Sequence, residues 1–158
     1  ARHPDGDCAP RPTRAARQRV LEEVRSHRPD VEPLGVLVEE RIVQPGLEII
    51  VTVRRDRALG LVTVIGRGGV QVEVDRDLVI HVGALLEDEV LRLVEGLRCA
   101  PLMAGYRGRP ALALSALART VVRLQQAVLG TALAEVELNP VLLTQHDAWI
   151  LDALATAS

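Results

Sequence analysis

The sequence predicts an α+β fold: a mainly antiparallel sheet with two long helices packed on one side. Three observations point there. Short runs rich in β-branched residues follow one another across tight turns over residues 35–65, the pattern of an antiparallel meander. Two amphipathic helical segments come next, at 85–97 and 112–129. Two further strand-like runs, 135–140 and 149–152, close the chain. Strands, then helices, then strands are the order of an α+β domain rather than of alternating βαβ units.

Taken in order, residues 1–12 hold Pro4, Pro10, Pro12 and Gly6 among scattered charges and read as a disordered tail. Thr13 is placed to cap a helix running to about His27, with Val20, Leu21 and Val24 on its apolar face. Pro29 and Pro33 end it, so residues 13–33 read as helix and linker, and 34–155 as the main domain. Three strands are expected there: 35–42; 47–54 after the Gln44-Pro45-Gly46 turn; and 59–65 after the charged turn at 54–57. Gly66, Gly68 and Gly69 precede an alternating run at 70–74 and a short strand at 78–82. On the first long helix Leu86, Val90, Leu93, Val94 and Leu97 share a face. A rigid loop, Gly105-Tyr106-Arg107-Gly108-Arg109-Pro110, leads to the second, which Gly130 closes.

Composition narrows the function classes. Hydrophobic residues make up 48% of the 158, ample for a core. No apolar run is long enough to span a membrane, and no signal peptide is present. A net charge of −2 and only two aromatic residues, Tyr106 and Trp149, argue against nucleic acid as a partner. Cys8 and Cys99 lie far apart, outside any CxxC pair, which suggests a reducing, cytoplasmic setting. Every basic residue is arginine; without lysine, chemistry that needs an ammonium point charge on a phosphate is incomplete in this chain. A start at Ala1 rather than Met fits a fragment or a processed product.

The stretch Glu135-Val136-Glu137-Leu138-Asn139-Pro140 holds the strongest chemical signal. Strand alternation puts Glu135, Glu137 and Asn139 on one face and Val136 and Leu138 on the other. Carboxylates with an amide carbonyl suit a hard cation such as Mg²⁺, and Asp152 joins them if the run at 149–152 pairs with this strand. A solvated acidic face is the other reading. The glycines at 66, 68 and 69 let backbone N–H groups approach an anion, but the segment lacks the GK[ST] ending of a P-loop and no helix follows it, so by itself it reads first as a bare hairpin turn. Glu39, Glu40, Glu48, Glu73 and Asp77 are ambiguous singly. Arg107 and Arg109 suit either phosphate or a carboxylate partner, and His81 on an apolar run reads as structural.

In order, the segments GVLVEERI, GLEIIVTVRRD, GRGGVQVEVDRD, GYRGRP, AEVELNPVLL and ILDA resemble the carboxyl-terminal lobe of the ATP-grasp domain in NDP-forming acyl-CoA synthetases. These include the ADP-forming acetate–CoA ligases, with succinyl-CoA synthetase β subunits as more distant relatives. The resemblance covers about residues 14–155. It implies ATP/ADP and Mg²⁺ as cofactors. Glu39, Glu40 and Ile42 fall on the family's adenine hinge, Glu48 on its ribose carboxylate, and Gly66, Gly68, Gly69 and Glu73 on its phosphate-facing glycine segment. Asn139 and Asp152 fall on the Mg²⁺ positions, with Glu137 beside them. The implied reaction exchanges acyl-CoA, nucleoside diphosphate and phosphate for acid, CoA and nucleoside triphosphate through a phosphohistidine.

No catalytic residue is assigned within this chain. The family's first ATP-grasp lobe, which holds the phosphate-binding lysine, and its CoA-binding and ligase domains are the implied partners, on the same polypeptide or another subunit. Where the family has Asp-Pro-x-Phe-Gly this chain has Asp56-Arg57-Ala58-Leu59-Gly60, and Glu137 stands where aspartate is usual. A non-catalytic interaction or regulatory module derived from the lobe is the alternative function.

Overall fold

The computed structural model describes residues 14–69 and 76–157. The expected tail, the Thr13 cap, the strand at 70–74 and Glu73 lie outside them. The chain divides into two compact units, residues 1–43 and 44–158. In the first, helix α1 (Arg14–His27) is followed by irregular chain.

The expected strand at 35–42 does not form. Apolar alternation creates a strand only where a neighbouring ladder satisfies its N–H and C=O groups. Leu34, Leu37, Val38 and Val43 are instead exposed.

The second unit is the α+β domain. Its strands are β1 (Gly46–Asp56), β2 (Gly60–Arg67), β3 (Leu78–Val82), β4 (Leu133–Thr144), β5 (Ala148–Ile150) and β6 (Ala153–Ala157). They form a six-stranded sheet in the order β3-β2-β1-β4-β5, with β6 also on β4, and each of these pairings is antiparallel. Helices α2 (Glu87–Val94), α3 (Ala100–Met103) and α4 (Leu114–Gly130) lie between β3 and β4 in sequence. The first expected long helix is thus shorter than its apolar pattern. Its start is marked by the Glu89 carboxylate accepting the N–H of Leu86 at 2.7 Å.

Strand alternation builds the core. Ile49, Val51 and Val53 of β1, Ile65 of β2, and Val136, Leu138, Val141 and Leu143 of β4 are buried with Val90 and Val94 of α2 and Leu117, Val121 and Val128 of α4. Buried apolar positions of β4 change from 136 and 138 to 141 and 143 across Asn139-Pro140. The β1–β4 register shifts there, from Val51↔Leu138 to Ile49↔Val141. Proline donates no ladder hydrogen bond and is tolerated at such an irregularity, so Leu138 and Val141 both reach the core. The Asn139–Pro140 peptide is cis. Gln125, buried on α4, accepts the N–H of Leu85 at 2.8 Å and so ties the start of the helical layer to its long helix.

The expected run at 149–152 is not one strand. It breaks after Ile150, and Leu151 and Asp152 form the corner before β6.

Candidate functional site

Side chains that alternate with the core face the other side of the sheet. Across β1 and β4 they stand in rows: Glu48 opposite Leu142, Thr52 opposite Glu137, and Arg54 opposite Glu135. Ile50, Val64 and Leu142 are half-buried among them. Trp149 extends the Glu48–Leu142 row, and its indole Nε1 is buried without a hydrogen-bond partner.

The glycine turn belongs to this face. Gly68 donates its N–H to the Glu48 carbonyl at 2.7 Å. A Cβ at Gly68 would lie 3.0 Å from the Glu48 carbonyl carbon, and one at Gly69, whose φ is +92°, would lie 3.1 Å from Glu48 Oε2. Only glycine fits this close approach without displacement. The turn and the Glu48 carboxylate are therefore one local structure, joined across two strands.

A second cluster forms where β4 meets the β5–β6 corner. Asn139 Nδ2 donates to Glu137 Oε1 at 3.0 Å, leaving the amide oxygen for another partner. The Asn139 N–H donates to the Asp152 carbonyl at 3.2 Å, and Leu151 donates to the Pro140 carbonyl at 3.0 Å. These backbone bonds bring together residues 13 and 11 positions apart in sequence. Asp152 and Asn139 are exposed and Glu137 is half-buried. Among the described residues no group of three or more His, Cys, Asp or Glu is arranged to hold a metal. Glu137 and Asn139 meet through their side chains, whereas Asp152 reaches Asn139 through its carbonyl and its carboxylate Oδ1 accepts the Ala153 N–H at 2.8 Å. Oxygen donors this few and this exposed suit a hard cation that shares its shell with water and phosphate rather than one caged by protein. Along β1, the row of Glu137 lies four residues, about 13 Å, from Glu48.

Glu39, Glu40 and Ile42 lie on the irregular chain of the first unit; the glutamates are exposed and Ile42 is half-buried. His81 pairs with the fully buried Thr63. Arg107 and Arg109 are exposed, and the Arg107 guanidinium lies 5.3 Å from the centre of the Tyr106 ring.

Sequence reasoning left Asp77 and Arg55 without a role. Asp77 is 6% exposed. It accepts the N–H of Arg98 at Oδ1, 2.7 Å, and that of Cys99 at Oδ2, 2.8 Å. Burial pushes its carboxyl pKa upward, but these two donors, the Cys99 thiol and the Arg98 charge outweigh it and hold the pKa below the usual value. Burial, and then Asp77 itself, push the Cys99 thiol up to about 12, so it stays protonated. Arg55 donates to the carbonyls of Val128, Leu129, Thr131 and Leu133 around the end of α4. A local pattern signals neither contact, because the partners lie 21 to 78 residues away.

The family model of the ATP-grasp domain matches residues 9–156. The chain is 28% identical over 141 residues to the acetate–CoA ligase [ADP-forming] I subunit beta of Pyrococcus furiosus, covering 89% of this chain and 60% of that one. It is 32% identical over 108 residues to the acetate–CoA ligase [ADP-forming] of Methanocaldococcus jannaschii, covering 68% of this chain and 15% of that one. Among solved structures it resembles the dinucleotide-forming acetyl-coenzyme A synthetase 1 of Ca. Korarchaeum cryptofilum. One such structure, with coenzyme A, acetyl-coenzyme A and a phosphorylated phosphohistidine segment, has a TM-score of 0.82 at 29% identity, covering 92% of this chain and 65% of that one. Another, with coenzyme A, Ca-AMPCP and HgCl+, has a TM-score of 0.79 at 29% identity, covering 92% and 63%. The chain thus spans less than two thirds of the length of these ligases and of these solved chains.

Proposed function

The chain belongs to the ATP-grasp domain family, and from that premise we propose that it is the nucleotide- and Mg²⁺-binding carboxyl-terminal lobe of an NDP-forming acyl-CoA synthetase. The lobe spans residues 34–155, preceded by the helix and linker of 13–33. The observation that supports this reading is a pair of clusters whose rows lie about 13 Å apart along β1. Glu48 meets the glycine turn, and Asn139 meets Glu137 through its side chain and Asp152 through its backbone. The nucleotide complex of the Korarchaeum relative supports it.

In this reading Glu48 accepts the ribose hydroxyls, and Gly66, Gly68 and Gly69, with Glu73, form the segment facing the phosphates. Glu39, Glu40 and Ile42 supply the adenine hinge. Glu137, Asn139 and Asp152 hold the cation, which when bound offsets phosphate charge. Phosphoryl transfer between nucleotide and a phosphohistidine needs little covalent chemistry from the protein, so these residues orient the nucleotide and place its charge. Several carboxylates face the phosphates, and the chain has no lysine to balance them. Catalysis therefore requires the lysine-bearing first lobe and the CoA-binding and ligase domains, in a reducing cytoplasmic setting.

Mn²⁺ titrated with ATP into the ¹⁵N-labelled chain should broaden the amides of residues 66–69, 137–140 and 152. Broadening confined to Glu87, Asp88 and Glu89 rejects the site. The chain alone should bind ATP at best near 1 mM, about −4 kcal/mol, because the phosphates stay open to water. Adding the first lobe of a β-subunit relative, fused or in trans, should tighten binding. A lobe that tightens nothing favours a non-catalytic interaction module, the reading that the absence of lysine otherwise supports.

A further inference from the structure

We propose that Asp77 is a positioning residue: it fixes the glycine turn in its binding shape by tying it to the helical layer. Its consequence for nucleotide rests on the function proposed above; the tie itself does not. A buried carboxylate is costly unless its charge is met by donors. Asp77 spends both oxygens on the N–H groups of Arg98 and Cys99, at the connection between α2 and α3. It is thereby committed to protein rather than ligand.

Its main chain points the other way. The Asp77 carbonyl accepts the N–H of Arg67 at 2.9 Å, and the next amide, Gly68, donates to the Glu48 carbonyl at 2.7 Å. Gly66 fits closely beneath, since a Cβ there would lie 3.1 Å from the Asp77 carbonyl oxygen. The helical layer, Asp77, Arg67, Gly68 and Glu48 thus form one chain of bonds. Asp77 is its junction: the side chain holds the helices and the carbonyl holds the turn. Losing the side-chain anchor frees residue 77 to drift and loosens the turn.

The test is amide hydrogen exchange on the ¹⁵N-labelled 158-residue chain. Asp77→Asn keeps the shape but sets an NH₂ group against a backbone donor. Exchange at Arg67 and Gly68 should accelerate about tenfold, the weight of one net hydrogen bond, while the β1–β2 ladder between Val51 and Val64 changes little. Uniform acceleration, or none at Arg67 and Gly68, overturns the proposal. Cys99→Ala removes only the thiol and should leave the turn unchanged; release equal to that of Asp77→Asn shows that packing holds the turn, and overturns it.

If Asp77→Asn does not fold, native-state exchange of the wild type in low denaturant decides. Arg67, Gly68, Arg98 and Cys99 should share one opening isotherm distinct from that of the ladder, and separate isotherms overturn the tie. Mg-ATP titration followed by the fluorescence of Trp149 completes the test. Asp77→Asn should weaken binding severalfold, and undiminished affinity overturns the positioning role. A wild type that binds no nucleotide removes the proposed function, while the exchange result still judges the tie.

Discussion

The two faces of this sheet are made by alternate residues of the same strands, yet they answer to different physics. On the helix side Ile49, Val51, Val53, Val136, Leu138 and Val141 are closed off by α2 and α4. On the other side Glu48, Thr52, Arg54, Glu135, Glu137 and Asn139 alternate with them. Leu78, Ile80 and Val82, which line the same face on β3, are exposed. Most of the burial therefore sits on one face, and the polar side chains collect on the other, beside the buried Val62 and the half-buried Ile50 and Val64. The lesson is separability: substitutions on one face should cost stability, and on the other, ligand.

The sharpest test of that separation is Leu117→Ala on the fully buried face of α4. It should cost about 2–5 kcal/mol in urea unfolding. Arg55→Ala leaves the carbonyls at the end of α4 to water and should cost about 1–2 kcal/mol by the same measurement. Either loss near zero breaks the account of the covered layer.

Acid should act through Asp77. Its folded-state pKa lies below the unfolded value, so its contribution is present above the unfolded pKa and is lost as pH falls through the folded one. Unfolding midpoints measured from neutral pH into acid should show this loss in the wild type and a flatter profile in Asp77→Asn. Asp56, held low by the N–H groups of Ala58 and Leu59, contributes with the same sign and persists in the variant.

The smallest stability changes belong to the open face. Glu48→Ala should shift unfolding by no more than about 0.5 kcal/mol. It should nonetheless weaken nucleotide binding about ten- to a hundredfold in the assembled two-lobed protein, the weight of a charge-assisted hydrogen bond. Unchanged affinity by calorimetry rejects the ribose role.

Much of this architecture was legible in the linear pattern, for reasons that are local. β1, β2, β3 and α4 follow from alternation, helical periodicity, and the turns at Gly46 and Asp56–Gly60. The face shared by Glu135, Glu137 and Asn139 follows from a period of two. What tertiary structure decided is what no local period encodes. The strand expected at 35–42 is irregular because apolar alternation cannot supply its own ladder partner. Asp152 meets Asn139 only because the chain turns a corner after Ile150 and returns along β4. Asp77 gained a role from two amide donors more than twenty residues away. The Asp77 pairing becomes favourable only once the sheet and helices have excluded water around it, and the exposed Asn139–Asp152 pairing only once β6 has docked on β4, so the sequence by itself determined the faces, and packing decided which residues meet across them.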